Sequence, residues 1–224
     1  MDIVSSKKEI GEGTEVVKTN IGYRFAKRTM DIICSFVGLV LLSPIFLITA
    51  IAIRAEDGGP VFYCQKRIGQ GEKEFLIYKF RSMRQNAEQI HEQLREEYGN
   101  TEVSFKLQDD VRVTKAGQVI RKFNIDELPQ LINILKGDMS LVGPRPLPTY
   151  EYLEEQKRYG ALYKKRYSVP QGLTCFWQIS NRAEVSFEDR MRLDVEYAEQ
   201  QSLFVDVLLI IKTFFYTITG KAEY

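Results

Sequence analysis

Asp126 and Glu127 stand side by side, Pro129 follows at once, and Arg145 comes a short way on inside Gly143-Pro144-Arg145-Pro146. These residue types suit phosphate chemistry. An ionised Asp can attack phosphorus to form an acyl-phosphate, while a neighbouring carboxylate holds a divalent cation that neutralises a diphosphate. A guanidinium fork grips phosphate oxygens in pairs, and Pro144 and Pro146 keep the segment around it extended and stiff. The positioning element is read as a helix. Asn124 with Glu127 three residues on gives a capping signal, Leu128, Leu131, Ile132 and Leu135 form an apolar stripe at helical spacing, and Gly137 ends it. Both acids then lie in a helical first turn, whose free N–H groups favour an ionised Asp126. From these residues alone two plainer readings stay open: the acids only cap the helix, and Arg145 pairs with a local carboxylate such as Asp138.

Val61 to Ile68 and Phe75 to Phe80 read as strands joined by Gly69-Gln70-Gly71-Glu72-Lys73, a hairpin signal. The second strand runs into Lys79-Phe80-Arg81, where strand spacing puts Lys79 and Arg81 on one face, as phosphate ligands or as an exposed edge. Gly172-Leu173-Thr174 and Gln178 to Arg182 form a turn-rich stretch whose Trp177 and Arg182 could line a ligand pocket. Tyr159, Tyr163 and Tyr167 recur every four residues among basic residues, to meet lipid headgroups or to pack on a core. Leu203 to Tyr216 is apolar but holds Asp206 and Lys212 and falls short of a membrane span, so it is read as an interfacial or core helix.

A second apolar run, Ile32 to Ile53, carries no charge and is flanked by Arg24, Lys27 and Arg28 before it and Arg54, Glu56 and Asp57 after it. Ser43-Pro44 interrupts its middle. Each arm is then about 16 Å long at ~1.5 Å per residue, roughly half the hydrocarbon thickness. Basic residues on the N-terminal side favour a cytoplasmic N-terminus, and a full span would put the remaining chain outside. A helix that enters, bends at Ser43-Pro44 and leaves on the same face keeps that chain with its activated donor; Ser43 or neighbouring protein can meet the freed carbonyls near Val40. A kinked spanning helix and a signal peptide are the competing readings.

The chain has 224 residues, 44% of them apolar, enough for one sizeable core. Its 31 Lys and Arg nearly balance 30 Asp and Glu, which gives no nucleic-acid signature. A single His91, in a charged stretch, excludes His-centred triads and His-rich metal sites, and no P-loop or dinucleotide glycine signature is present. Three segments are expected: a flexible 1–22, a membrane re-entrant helix at 23–58, and a catalytic domain at 59–224. The expected fold is a small α/β (α+β) domain with interfacial amphipathic helices on that N-terminal helix-break-helix.

Taken in order, the KR-x-x-D motif before the Ser43-Pro44 break, Lys79-Phe80-Arg81-Ser82-Met83, the Asp126 to Pro146 block, Gly172-Leu173-Thr174 with Gln178, and Leu193-Asp194 to Asp206 resemble the monotopic polyprenyl-phosphate phosphoglycosyltransferases, often called bacterial sugar transferases. The resemblance covers most of the chain. It implies transfer of a sugar-1-phosphate from a UDP-sugar to undecaprenyl phosphate with release of UMP, as the first membrane step of exopolysaccharide, capsule, O-antigen or glycoprotein glycan assembly. Asp126 would be the nucleophile, Glu127, with Asp126, the Mg2+ site, and Arg145 the grip on the donor phosphates; Lys79, Arg81, Gln178, Arg182 and Asp206 would complete the polar site. The implied location is the cytoplasmic face of the inner membrane, in contact with lipid, with a homodimer left open. Asn181-Arg182 replaces a more usual Gly-Arg, and a charged insertion from Asn86 to Gln108 precedes the catalytic block; both bear on specificity. Lacking a multi-span N-terminal region, the chain is expected to be the minimal catalytic form. Two other functions are weighed: a metal-dependent glycosyltransferase that moves the sugar alone, and a non-catalytic membrane scaffold.

Overall fold

A computed structural model describes residues 20–87, 89–90, 110–179 and 185–218. Asn20 caps the first helix, its side chain accepting from the Gly22 N–H, and α1 runs Ile21–Leu41. The helical path breaks at Leu42 and resumes as α2, Ser43–Asp57, with the two axes bent by 60°. Pro44 sits in the first turn of α2, where its missing N–H costs nothing, and the Ser43 hydroxyl donates to the Val40 carbonyl at 2.8 Å. The expected break and its local repair are thus both present. No single described helix is long and apolar enough to cross a membrane, but the bent pair passes together by length and composition.

Phe62–Ile68 (β1) and Glu74–Phe80 (β2) form an antiparallel hairpin, with Tyr63 opposite Lys79. Next come α3 (Lys115–Lys122), a single 3-10 turn at Ile125–Glu127, and α4 (Gln130–Lys136), closed by Gly137 at φ 93. Then follow β3 (Ser140–Val142), α5 (Thr149–Tyr159), a 3-10 stretch at Gly160–Tyr167 and β4 (Gly172–Thr174), parallel to β3. A turn at Trp177–Ile179, α6 (Phe187–Gln200) and α7 (Leu203–Ile218) complete the order. The mixed α and β content matches the expected class, with two small two-stranded sheets among the described residues.

The core joins these pieces around Ile134, Val142, Cys175, Tyr197 and Leu209. A smaller cluster of Ile53, Phe80 and Ile120 packs against Phe46 and Ile125, fastening the acid-bearing turn to the inner end of α2. The KR-x-x-D motif on α1 is a set of long-range anchors. Lys27 donates to the Val142 carbonyl and to Asp206, both at 2.9 Å; Arg28 meets the Ile134 and Leu135 carbonyls at the end of α4; Asp31 accepts from Ser140 and from the Leu141 N–H. The opposite face of α1, and much of α2, leave Ile33, Phe36, Leu41, Leu47 and Ile48 more than half exposed. Phe204, Val207, Ile211, Phe214 and Phe215 make a comparable exposed stripe on α7, while Asp206 and Leu209 point inward.

Candidate active site

The acid pair is not in the first turn of a regular helix. Asn124 takes a left-handed conformation at φ 52, makes no side-chain cap, and leads into the 3-10 turn, with α4 starting only at Gln130. The helix reading stretched too far because the bonds through this stretch, Leu128 N–H to the Ile125 carbonyl and Leu131 N–H to the Leu128 carbonyl, span three residues and not four. On that tight turn Asp126 and Glu127 are 7% and 8% exposed. Asn133, fully buried on α4, accepts from the Tyr78 N–H at 2.9 Å and donates to the Leu76 carbonyl at 2.7 Å. It thereby acts as a short substitute strand along β2 and brings Lys79 to the acids.

Glu127 is held by two cations. Lys79 Nζ donates to Oε1 at 2.8 Å, and the Arg145 guanidinium spans both oxygens, at 2.5 Å to Oε1 and 3.2 Å to Oε2. Burial would push the Glu127 carboxyl up, but Arg145 and Lys79 outweigh it and hold it well below the usual range. Burial together with repulsion from Glu127 pushes Asp126 up to about 6, against the pull of Lys79, Arg121 and Arg145. Two adjacent carboxylates have therefore been pulled in opposite directions by their surroundings. Asp126 Oδ1 is buried without a hydrogen-bond partner among the described residues.

Arg145 comes from a segment whose carbonyls are all engaged. The Pro144 carbonyl accepts from the Gly172 N–H (2.9 Å), Arg145 from Arg166 (2.7 Å), Pro146 from Arg67 (3.1 Å) and Leu147 from the Ile68 N–H (3.0 Å). The two motif glycines make this possible. A Cβ on Gly143 would lie 2.1 Å from the Pro170 carbonyl oxygen, and one on Gly172 would lie 2.0 Å from the Gly143 nitrogen. Arg166 is in turn held at 2.8 Å by Asp194, with both side chains fully buried. Arg145 thus meets a carboxylate, as the plainer reading had it, but the carboxylate is Glu127 and not Asp138.

Arg81 does not join the acids. The strand ends at Phe80, and Arg81 turns to pair with Asp57 at the end of α2, so strand spacing no longer applies at its position. Asp206 likewise bonds to groups other than the acids, Lys79 or Arg145. It is fully buried, bonded to Lys27 and Tyr23 at 2.9 Å and to Tyr197 at 2.7 Å, and it locks α1 to α6 and α7. Gln178 is buried beside Trp177, 3.5 Å from the Leu173 carbonyl. Tyr167 is a core residue in edge contact with Tyr152. Arg182, His91 and most of the charged insertion lie outside the described residues, as do the side chains of Tyr159 and Tyr163.

Among the described residues no group of three or more His, Cys, Asp or Glu side chains converges. Asp126 and Glu127 are the two acids at this site that could hold a divalent ion. Two carboxylates and a buried oxygen with no partner fit Mg2+, which keeps much of its shell for water and phosphate oxygens. Glu127 would first have to yield part of its bonding to Lys79 and Arg145.

Residues 22–220, which hold the bent apolar helix pair, the acid pair and the proline-held arginine, match the family model described as bacterial sugar transferase. The chain belongs to that family. It is 43% identical over 196 residues to the galactosyl transferase CpsE of Streptococcus agalactiae, covering 87% of this chain and 42% of CpsE. Identity to the exopolysaccharide production protein ExoY of Rhizobium meliloti is 41% over 192 residues, covering 84% of this chain and 83% of ExoY. To the undecaprenyl-phosphate galactose phosphotransferase of Salmonella typhimurium it is 40% over 197 residues, 85% of this chain and 40% of that protein. The chain therefore spans less than half the length of two of these relatives. Sequence reasoning reached this family but missed Arg67, Arg166 and Lys27 as supports of the site, because nothing local marks a basic residue whose partners lie far along the chain.

Proposed function

We propose that this chain moves a sugar-1-phosphate from a UDP-sugar to undecaprenyl phosphate or a similar polyprenyl phosphate, releasing UMP, through a phospho-sugar ester of Asp126. The observation that carries this reading is the divergence within one buried acid pair: Glu127 fixed by Lys79 and Arg145, Asp126 left with an unsatisfied oxygen. The name of the Salmonella relative supports the carrier and the transferred group.

An Asp126 oxygen attacks the phosphorus that bears the sugar, and UMP leaves with the electron pair of the broken P–O bond. An oxygen of the lipid phosphate then attacks the same phosphorus, and the Asp126 carboxylate leaves. Above a pH of about 6 Asp126 is ionised and ready to react. Arg145 exchanges part of its grip on Glu127 for phosphate oxygens, and Lys79 keeps Glu127 charged. Mg2+, held by Asp126 and Glu127 when bound, supplies neutralising charge at the attacked diphosphate. The bent α1–α2 pair lies re-entrant in the cytoplasmic leaflet of the inner membrane, with the exposed stripe of α7 at the interface. In that arrangement the acid turn would lie at lipid headgroup level, a reading supported by its packing on Ile53 and Phe80 of the inner end of α2 and the hairpin.

The test is to mix the purified full chain with donor alone, quench, and weigh it intact. A mass gain equal to the sugar phosphate is expected, lost in Asp126→Asn, with UMP as the nucleotide product. Release of UDP would mean that only the sugar moves, and normal turnover without any adduct would remove the covalent step.

A further inference from the structure

Two more guanidiniums flank the loop that carries Arg145, and neither is committed to a carboxylate. Arg67, on β1, gives Nη1 to the Pro146 carbonyl at 3.1 Å and Nη2 to Gln65 Oε1 at 2.6 Å, both neutral acceptors. Arg190, on α6, lies over the Trp177 ring, 4.3 Å from its centroid; the same ring lies 6.0 Å from the Arg145 guanidinium. The Nε of each is buried and finds no acceptor among the described residues.

Holding two cations this way is unfavourable in the empty protein. Burial works against the charge of both, Arg145 repels both, and Glu151 is the acid that most compensates each of them. Glu151 makes no ion pair with either among the described residues; its carboxylate accepts from the Tyr150 hydroxyl. Within the catalytic cluster itself, Lys79 and Arg145 are set against Asp126 and Glu127, so those two cations are already neutralised. A reaction that gathers a diphosphate and then a lipid phosphate around one carboxylate needs positive charge beyond that pair. Arg67 and Arg190 are placed to supply it, with a free N–H each.

We propose that Arg67 and Arg190, on either side of Arg145, form an anion subsite for a phosphate ester. The subsite rests on the reading that nucleotide and lipid phosphates are this chain's substrates. It takes a phosphate that is not the one under attack: the phosphate that leaves with the nucleotide, or the phosphate of the polyprenyl acceptor. In either case the anion receives the two unused Nε–H donors and relieves the repulsion among three guanidiniums.

Binding is measured on the full chain in lipid nanodiscs carrying Asp126→Asn, so that no turnover intervenes. UMP and a short-chain polyprenyl phosphate are titrated separately against Arg67→Lys, Arg67→Gln and Arg190→Gln, with Arg192→Gln as control; Arg192 is exposed on the same helix as Arg190 and pairs with Glu188. A rise in Kd of about 10-fold or more is expected for one ligand in both Gln variants, with a smaller rise for Arg67→Lys, which keeps charge but loses the fork. The effect on UMP assigns the subsite to the donor phosphate; the effect on the polyprenyl phosphate assigns it to the acceptor. Kd values within twofold of the parent for both ligands, in variants whose thermal unfolding is unchanged, would overturn the subsite. If Arg67→Gln does not fold, Arg67→Lys and Arg190→Gln decide. Because this readout is equilibrium binding, a wrong assignment of the chemistry at Asp126 shows as UDP release and leaves the binding result standing.

Discussion

A carboxyl that burial pushes up to about 6 carries a stability cost that its amide counterpart does not. In the unfolded chain Asp126 titrates near its ordinary value of 3.8, so between there and about 6 the native state binds more protons and stability falls as pH rises. Asp126→Asn should therefore unfold later than the parent at pH 7.5, by about 1–3 kcal/mol, with the difference fading toward pH 4. Denaturant titrations at the two pH values check this. The same ionisation should appear as an acidic limb in kcat/KM, rising with pH through about 6. Glu127 has the opposite sign. Its depressed pKa gives stability that is complete above the ordinary 4.5 and is lost only as pH falls through the folded value. At neutral pH Glu127→Gln takes the charge partner from the partly buried Lys79 and Arg145 and should cost about 2–3 kcal/mol, read as a lower unfolding midpoint. Opposite stability changes at two adjacent acids would distinguish a reactive group from one that organises it.

At the scale of elements, α1 contributes more than an anchor. Lys27, Arg28 and Asp31 each tie a different part of the catalytic half to it, and Lys27 reaches Val142, the residue just before the Gly143-Pro144-Arg145 loop. Removing one member of the Lys27–Asp206 pair strands a charge that is almost wholly out of solvent. Lys27→Met alone should cost about 3–5 kcal/mol, and Lys27→Met with Asp206→Leu should recover much of it. A double-mutant cycle on unfolding free energy measures the coupling. The break between α1 and α2 is local by comparison. It needs Leu42 off the helical path, Pro44 in the next first turn and the Ser43 hydroxyl on the Val40 carbonyl. Pro44→Ala restores the missing N–H and should shift part of the population toward a straight span. Side-specific labelling of both termini checks this: same-side labels in the parent and a mixed pattern in the variant are expected, and opposite-side labels in the parent would refute the re-entrant reading.

For the molecule as a whole, the hairpin, the helix break, the stiff Pro144-Arg145-Pro146 segment and the amphipathic α7 were all legible in the amino-acid order. Proline, glycine and apolar periodicity act over a few residues, and they specify their elements wherever those elements end up. Asp126, Glu127, Lys79 and Arg145 were legible as candidates through their residue types and through the family resemblance. Who bonds to whom was not. Arg81 and Lys79 share a strand pattern, yet one pairs with Asp57 and the other with Glu127, because the strand stops between them. Asp206 carries as reactive a side chain as Asp126, yet it is sealed against Lys27 and two tyrosines. Lys79 and Glu127 lie 48 residues apart, and Lys27 and Asp206 lie 179 apart. By itself the amino-acid order determined the local backbone, the apolar stripes of the helices and the list of groups able to do chemistry. Only tertiary packing decided which acid is pinned and which keeps an unpaired oxygen, because a carboxylate's charge state follows from the burial and neighbouring charges that distant segments bring to it.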